Sequence, residues 1–142
     1  MIDQSPEKRN TLVMKFGGTS VGSPEAMAQV VKIVETERPN WKNIVVVTSA
    51  LSGITDLLLR MTASMLREET SMLGESASEL LHRHDVIADA LIDDAGLRDA
   101  VKADIQEQIE RVVSLCQAIA ILGEATPRVM DVVVSAGERM SV

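Results

Sequence analysis

Residues 11–22 read TLVMKFGGTSVG, an apolar run that stops at two consecutive glycines. A short apolar run that ends at Gly17 and Gly18 is typical of a buried strand that closes in a tight turn. In open α/β sheets, ligands gather where such strands end and loops begin. The stretch therefore predicts the first strand of the fold and, directly after it, a candidate binding loop.

A helix and a second strand are predicted to follow this loop. Ser23-Pro24-Glu25 offers an N-cap, a proline at the first helical position and an early acid, and the helix is expected to end before Pro39. Residues 44–47 read IVVV, the pattern of a parallel strand covered on both faces. A β-α-β unit of this kind places both strands parallel in one sheet, with helices packed over its faces. The predicted fold class is therefore α/β.

The rest of the chain is predicted to be helical. Residues 71–122 carry two apolar stripes with helical spacing, and Gly96 is expected to separate the two helices. Thr126-Pro127 predicts the start of a last helix, although residues 132–134, VVV, would also suit a strand; we interpret them as helical. Two strands satisfy few of a sheet's edges and faces, so we expect an incomplete sheet in a helix-rich fold, with further strands downstream.

Length and composition limit the fold to one domain and argue against several functions. The 142 residues predict a tail over residues 1–10 and one domain portion over residues 11–142. A net charge of -7 opposes binding to nucleic acid. No segment has signal-peptide or bilayer-spanning character, so a cytoplasmic protein without a membrane partner is predicted. The lone Cys116 lies among apolar residues at helical spacing and is expected to be a buried, inert thiol.

The first loop has the composition of a phosphate site without matching a common nucleotide motif. Gly17 and Gly18 let a backbone approach an anion, and the ammonium group of Lys15 can neutralise its charge. The loop is neither a Walker A sequence nor Gly-x-Gly-x-x-Gly. On composition alone, a plain tight turn beside a solvated Lys15 is the simpler interpretation. The longer string around the loop decides between the two.

Three segments of the chain resemble the motifs of one enzyme family. Residues 15–21 read KFGGTSV, residues 46–56 read VVTSALSGITD and residues 135–141 read SAGERMS. In this order they resemble the opening signature, the second loop and the Ser-x-Gly-Glu-x-x-Ser segment of aspartokinases, within the amino-acid kinase superfamily. The resemblance spans residues 12–142. It implies a three-layer αβα fold and the ATP-dependent phosphorylation of the side-chain carboxylate of L-aspartate, the first step towards lysine, threonine and methionine.

The resemblance also implies a role for each matching residue. Lys15 would be the catalytic lysine that stabilises charge on the transferring phosphoryl group. A carboxylate such as Glu138 can pair with the α-ammonium group of the substrate, and a hydroxyl such as Thr55 can donate to a carboxylate oxygen. ATP with Mg²⁺ is the implied cofactor, no metal ligand is assigned in this chain, and the full-length enzyme is expected to be a homo-oligomer. The implied residues are Lys15, Gly17, Gly18, Thr19 and Ser20 for ATP phosphates, and Ser49, Thr55 and Glu138 for aspartate.

Several alternatives stay open. Aspartokinases are much longer, and their catalytic aspartate, second glycine-rich loop and second lysine have no counterpart here, so this chain alone is expected to be inactive. Another amino-acid kinase, acting on glutamate, acetylglutamate, carbamate or a nucleotide monophosphate, is disfavoured by the complete KFGGTSV string. A non-catalytic binding or assembly module is the second alternative. Without the resemblance, Glu138 would be a solvated acid and Thr55 a helix-start residue, and His82 and His84 lack the spacing of a metal pair.

Overall fold

A computed structural model describes residues 9–141 of the chain. This range contains two strands and six helices, with a short 3₁₀ turn at Arg38–Asn40. Both strands lie within residues 9–48, and only helices follow the second strand up to residue 141. In chain order the elements are β1 (Arg9–Phe16), α1 (Gly18–Val21), α2 (Pro24–Glu37), β2 (Trp41–Thr48), α3 (Ile54–Leu66), α4 (Ser71–Leu91), α5 (Ala95–Leu122) and α6 (Pro127–Arg139).

The first half of the described chain is a β-α-β unit. Strands β1 and β2 pair in parallel, with Leu12 opposite Ile44 and Phe16 opposite Thr48. The helix between them begins as predicted, because the Ser23 side chain accepts the backbone N–H of Ala26 at 3.2 Å. The α/β fold class and the parallel pairing are confirmed. The first strand already begins at Arg9, within the predicted tail, and residues 1–8 of that tail lie outside the described residues.

The two faces of this sheet differ in what covers them. Val34 of α2, Ile44 and Val46 line one cavity, so α2 lies over the face that Ile44 and Val46 share, although Val46 is still 41% exposed. On the opposite face Val13, Val45 and Val47 are 63%, 46% and 42% exposed. The prediction that β2 is covered on both faces is therefore not met within residues 9–141. The helices that follow β2 pack mainly against one another instead of over this second face.

The core lies among the helices, with α3 at its centre. Helix α3 packs against α4, α5 and α6, and its apolar positions recur with helical spacing. The core is built from aliphatic side chains and methionine together with Cys116, and Phe16 is only partly buried at its edge. The largest fully buried side chains include Ile54, Leu58, Met61 and Met65 of α3, Leu80 of α4, Val112 and Ile119 of α5, and Val133 of α6.

Capping side chains set the first residues of helices α5 and α6. Thr126 caps α6 by accepting the N–H of Val129 at 3.4 Å, and the helical interpretation of residues 132–134 is confirmed. The predicted break at Gly96 is wrong, since α4 ends at Leu91 and Gly96 lies inside the first turn of α5. The Asp94 carboxylate starts α5 by accepting the N–H of Leu97 at 2.7 Å. A strong N-cap two residues earlier, and not the glycine, therefore sets the boundary.

Candidate functional site

Two loops leave the same end of the sheet side by side. The last paired residues are Phe16 and Thr48, and beyond them the Ser49 N–H donates to the Phe16 carbonyl at 3.2 Å. We call residues 17–23, which include the single helical turn α1, the first loop, and residues 49–53 the second loop. Because parallel strands deliver their carboxyl ends to one edge, these loops occupy the position where open α/β sheets bind ligands.

Glycines of the first loop allow it to lie directly on the second loop. A Cβ on Gly18 would lie 2.9 Å from the Ala50 carbonyl oxygen, and a Cβ on Gly22 would lie 2.8 Å from the Cβ of Ser52. Both distances are too short for a favourable contact, since two carbon atoms attract each other best at about 3.5–4.0 Å. A side chain at either glycine would therefore clash with the second loop. A Cβ on Gly17 would meet nothing within 4 Å, so the backbone is open on that side. The loop is thus closed towards its neighbour and accessible at Gly17.

The third motif reaches the same place from the end of α6. Gly137 is buried, and a Cβ there would lie 2.9 Å from the Cβ of Ala50 and 3.2 Å from Cγ2 of Ile54. Glu138, the next residue on α6, is exposed. All three predicted motifs, which are far apart in the sequence, meet around Ala50.

The predicted site residues differ in burial within this arrangement. Lys15, Thr19 and Glu138 are exposed, whereas Ser20, Ser49 and Thr55 are half-buried. Lys15 pairs with Val47 and so shares the uncovered face of the sheet. The ion pairs formed within residues 9–141 include neither Lys15 nor Glu138. Both charged side chains are thus exposed and take part in no ion pair among the described residues.

A cavity of about 260 Å³ lies behind the second loop and has a different character. Its walls are mostly apolar, for example Met27, Leu51 and Met140, and none of the predicted site residues lines it. The buried His84 also lines it, with its Nδ1–H donating to the Leu80 carbonyl at 2.7 Å. Burial lowers the pKa of His84 and so favours the neutral imidazole. An apolar, neutral cavity does not suit a polyphosphate.

Other candidate chemical groups of the described residues contribute nothing to a site. Residues 9–141 contain no group of three or more His, Cys, Asp or Glu arranged to hold a metal ion. Cys116 is fully buried, as predicted, and burial raises the pKa of its thiol, so the reactive thiolate is disfavoured. In the same range, no helix combines the length and the apolar character needed to cross a membrane.

Some residues that build the site were not singled out from the sequence. Ala50 is the meeting point of the three motifs, and Gly137 makes the approach of α6 possible. A glycine inside a helix costs stability and often marks close packing, so Gly137 carried a usable signal. Arg83 of α4 donates from Nη1 to the Ser52 carbonyl of the second loop at 3.1 Å. An arginine on a polar helix face gave no sign of this contact.

Comparison with known proteins agrees with the motifs. The model of the amino acid kinase family matches residues 10–142. The chain is 36% identical to aspartokinase 3, chloroplastic, of Arabidopsis thaliana, over 95% of this chain and 23% of that protein. It is 30% identical to the aspartokinase of Schizosaccharomyces pombe, over 99% of this chain and 28% of that protein. The chain therefore spans about a quarter of the length of these relatives.

The fold also matches a solved structure. The crystal structure of E. coli aspartokinase III in complex with aspartate and ADP superposes with a TM-score of 0.73 and 28% sequence identity. The match covers 95% of this chain and 27% of that protein. The sequence and the backbone of almost the whole chain are thus both similar to those of aspartokinases.

Proposed function

Because the chain belongs to the amino acid kinase family, we propose that it carries the phosphate-contacting and aspartate-binding loops of an aspartokinase. The reaction is the transfer of the γ-phosphoryl group of ATP to L-aspartate, giving ADP and 4-phospho-L-aspartate. The observation that carries this proposal is the meeting of the three motifs at Ala50, through glycines that leave no room for a Cβ at Gly18 and Gly137. A structural relative that binds aspartate and ADP supports the choice of substrates.

The first loop is the proposed ATP phosphate site. Its backbone is open at Gly17, and Lys15 stands at the end of the adjoining strand with an exposed ammonium group. An open glycine backbone beside a cation suits a phosphate group. Thr19 and Ser20 add hydroxyl donors in the same loop. Mg²⁺ would bridge the nucleotide phosphates and neutralise charge there. Within the described residues no cluster of metal ligands competes for it.

The second loop and the end of α6 form the proposed aspartate site. Ser49 follows β2 directly, Thr55 lies in the first turn of α3, and both hydroxyls are half-buried. Hydroxyl groups there can donate to the carboxylate oxygens of aspartate. Glu138 can pair with the α-ammonium group, since it is exposed and follows Gly137, which packs against Ala50 of the second loop. A carboxylate at one end of the site and neutral hydroxyl donors at the other would select an amino acid over a simple dicarboxylate.

The chemistry requires these residues to bring two anions together. A side-chain carboxylate oxygen of aspartate attacks the γ-phosphorus of ATP, and the bond from that phosphorus to the bridging oxygen breaks to release ADP. The carboxylate is already ionised at neutral pH, because its ordinary pKa is about 4, so no general base is required. Positioning and charge neutralisation supply most of the rate in such transfers. Lys15 performs the neutralisation beside the first loop, where the phosphates of ATP would lie.

The proposal includes the wider setting of the enzyme. Relatives are about four times longer than this chain, so the rest of the nucleotide site would be supplied by further sequence, and residues 1–142 alone would be inactive. We also propose that the enzyme is cytoplasmic and forms a homo-oligomer. Its product would be used in the biosynthesis of lysine and threonine.

Measuring ADP release tests the proposed function. Mg-ATP and L-aspartate would be given to the protein expressed from its whole reading frame and to residues 1–142, with L-glutamate as the control substrate. We expect turnover of aspartate by the longer protein only. In that protein Lys15→Ala should lower kcat by about 100-fold or more, the usual effect of removing a group that stabilises transition-state charge. Turnover of glutamate in preference to aspartate would refute the substrate assignment.

A further inference from the structure

One side-chain contact ties the second loop to a distant helix. Arg83 of α4 donates from Nη1 to the Ser52 carbonyl oxygen at 3.1 Å, across 31 residues of sequence. Its other terminal nitrogen, Nη2, pairs with Oε1 of Glu79, one helical turn earlier. The guanidinium group thus pairs with its own helix through one terminal nitrogen while it bonds the loop through the other.

The bonded carbonyl lies at the turning point of the second loop. Gly53, the next residue, has a φ of +78°, a backbone conformation that residues with a side chain rarely adopt. A Cβ at this position would also lie 3.2 Å from Nη1 of Arg83. Ser52 is also the residue against which Gly22 of the first loop packs. The loop is therefore held on one side by the first loop and on the other by Arg83.

We infer that Arg83 is a positioning residue, oriented by Glu79, that holds the second loop in the conformation that binds the amino-acid substrate. This inference rests on the proposed function, since the bond at Ser52 lies between Ser49 and Thr55 in the chain. Arg83 itself does not touch the proposed substrate residues: it bonds the backbone between them. Its loss should therefore weaken substrate binding more than it slows the chemical step.

The magnitude follows from the loss of one charged hydrogen bond to a partly exposed loop. In the protein expressed from its whole reading frame, Arg83→Met should raise the KM for aspartate by about 3- to 10-fold. The KM for ATP and kcat should change by less than about twofold, because the chemical groups are untouched. Arg83→Lys keeps a cation that can reach the carbonyl and should recover part of the loss.

A matched control exists on another helix. Arg111 of α5 pairs with Glu107 one turn earlier, in the same geometry as Arg83 with Glu79, but this pair joins residues of one helix only. Arg111→Met therefore removes a similar charge and ion pair without releasing a loop. We expect its KM for aspartate to equal that of the unaltered protein.

The outcomes separate the inference from the proposed function. A raised KM for aspartate in Arg83→Met, with partial recovery in Arg83→Lys and no change in Arg111→Met, supports the inference. Equal KM values for Arg83→Met and Arg111→Met overturn it while leaving the proposed function intact. A fall in kcat and a rise in both KM values together would show a general structural role and would also overturn it. Absence of aspartate turnover in the unaltered protein refutes the proposed function, and the inference with it.

Discussion

The close approach of α6 to the second loop leads to a sharp prediction for Gly137→Ala. The new Cβ would lie 2.9 Å from the Cβ of Ala50, 3.2 Å from Ile54 and 3.4 Å from Leu58. The best carbon–carbon separation is about 3.5–4.0 Å, so α6 must move by roughly 0.6–1 Å or force its neighbours away. Overpacking of this kind costs about 1–3 kcal/mol of the free energy of unfolding.

Gly74→Ala isolates this cost from the general preference of helices for alanine. Gly74 lies in α4, and a Cβ there would meet nothing within 4 Å. Alanine should stabilise that helix by up to about 1 kcal/mol, and a similar gain partly offsets the overpacking at Gly137. The difference between the two variants removes the shared gain. We expect Gly137→Ala to be less stable than Gly74→Ala by about 1–3 kcal/mol.

Urea unfolding of the 142-residue chain, followed by helical circular dichroism, measures these free energies. A double variant adds a second test, because Ala50→Gly removes the nearest atom that the new Cβ meets. The two changes should couple favourably by about 0.5–2 kcal/mol in a double-mutant cycle. Equal stability of Gly137→Ala and Gly74→Ala, or additivity in the cycle, would refute the tight contact at Ala50.

Two further predictions concern the helices around the core. Burial lowers the pKa of His84 below its ordinary value of 6.5, so the unfolded chain takes up a proton that the folded chain does not, and stability should fall as the pH drops through 6.5. His84→Gln should flatten this pH dependence in urea titrations. Asp94→Ala removes the cap of α5 and should cost about 1 kcal/mol in the same assay. Asp93→Ala should be nearly neutral by comparison, and an equal loss in both would refute the assigned cap.

Local signals predicted most of the elements. Ser23 and Thr126 start helices α2 and α6 as expected, because a capping side chain acts on amides only two or three residues away. The misplaced break at Gly96 arose where two local signals competed and the carboxylate of Asp94 prevailed. Strand β2 was recognised from its composition, but an apolar pattern only indicates that residues can be buried. It does not say which element covers them.

The site was predictable as a set of motifs but not as an arrangement. The roles proposed for Lys15, Ser49, Thr55 and Glu138 came from resemblance and stay predictions. The contacts that fix the second loop depend on Ala50 and Arg83, which are ordinary residues in sequence. Their importance comes from packing between segments that are tens of residues apart, and no local pattern records such a distance.

The uncovered face of the sheet has a practical consequence for the isolated 142-residue chain. The exposed side chains on this face include Val13, Val45 and Val47. Within residues 9–141 no further strand pairs with the outer edges of β1 and β2. Such edges invite association between molecules. The net charge of -7 opposes this by mutual repulsion, and salt screens that repulsion beyond about 8 Å at physiological ionic strength. We therefore expect solubility to decrease as salt is added, so low-salt buffers should keep the purified chain monodisperse.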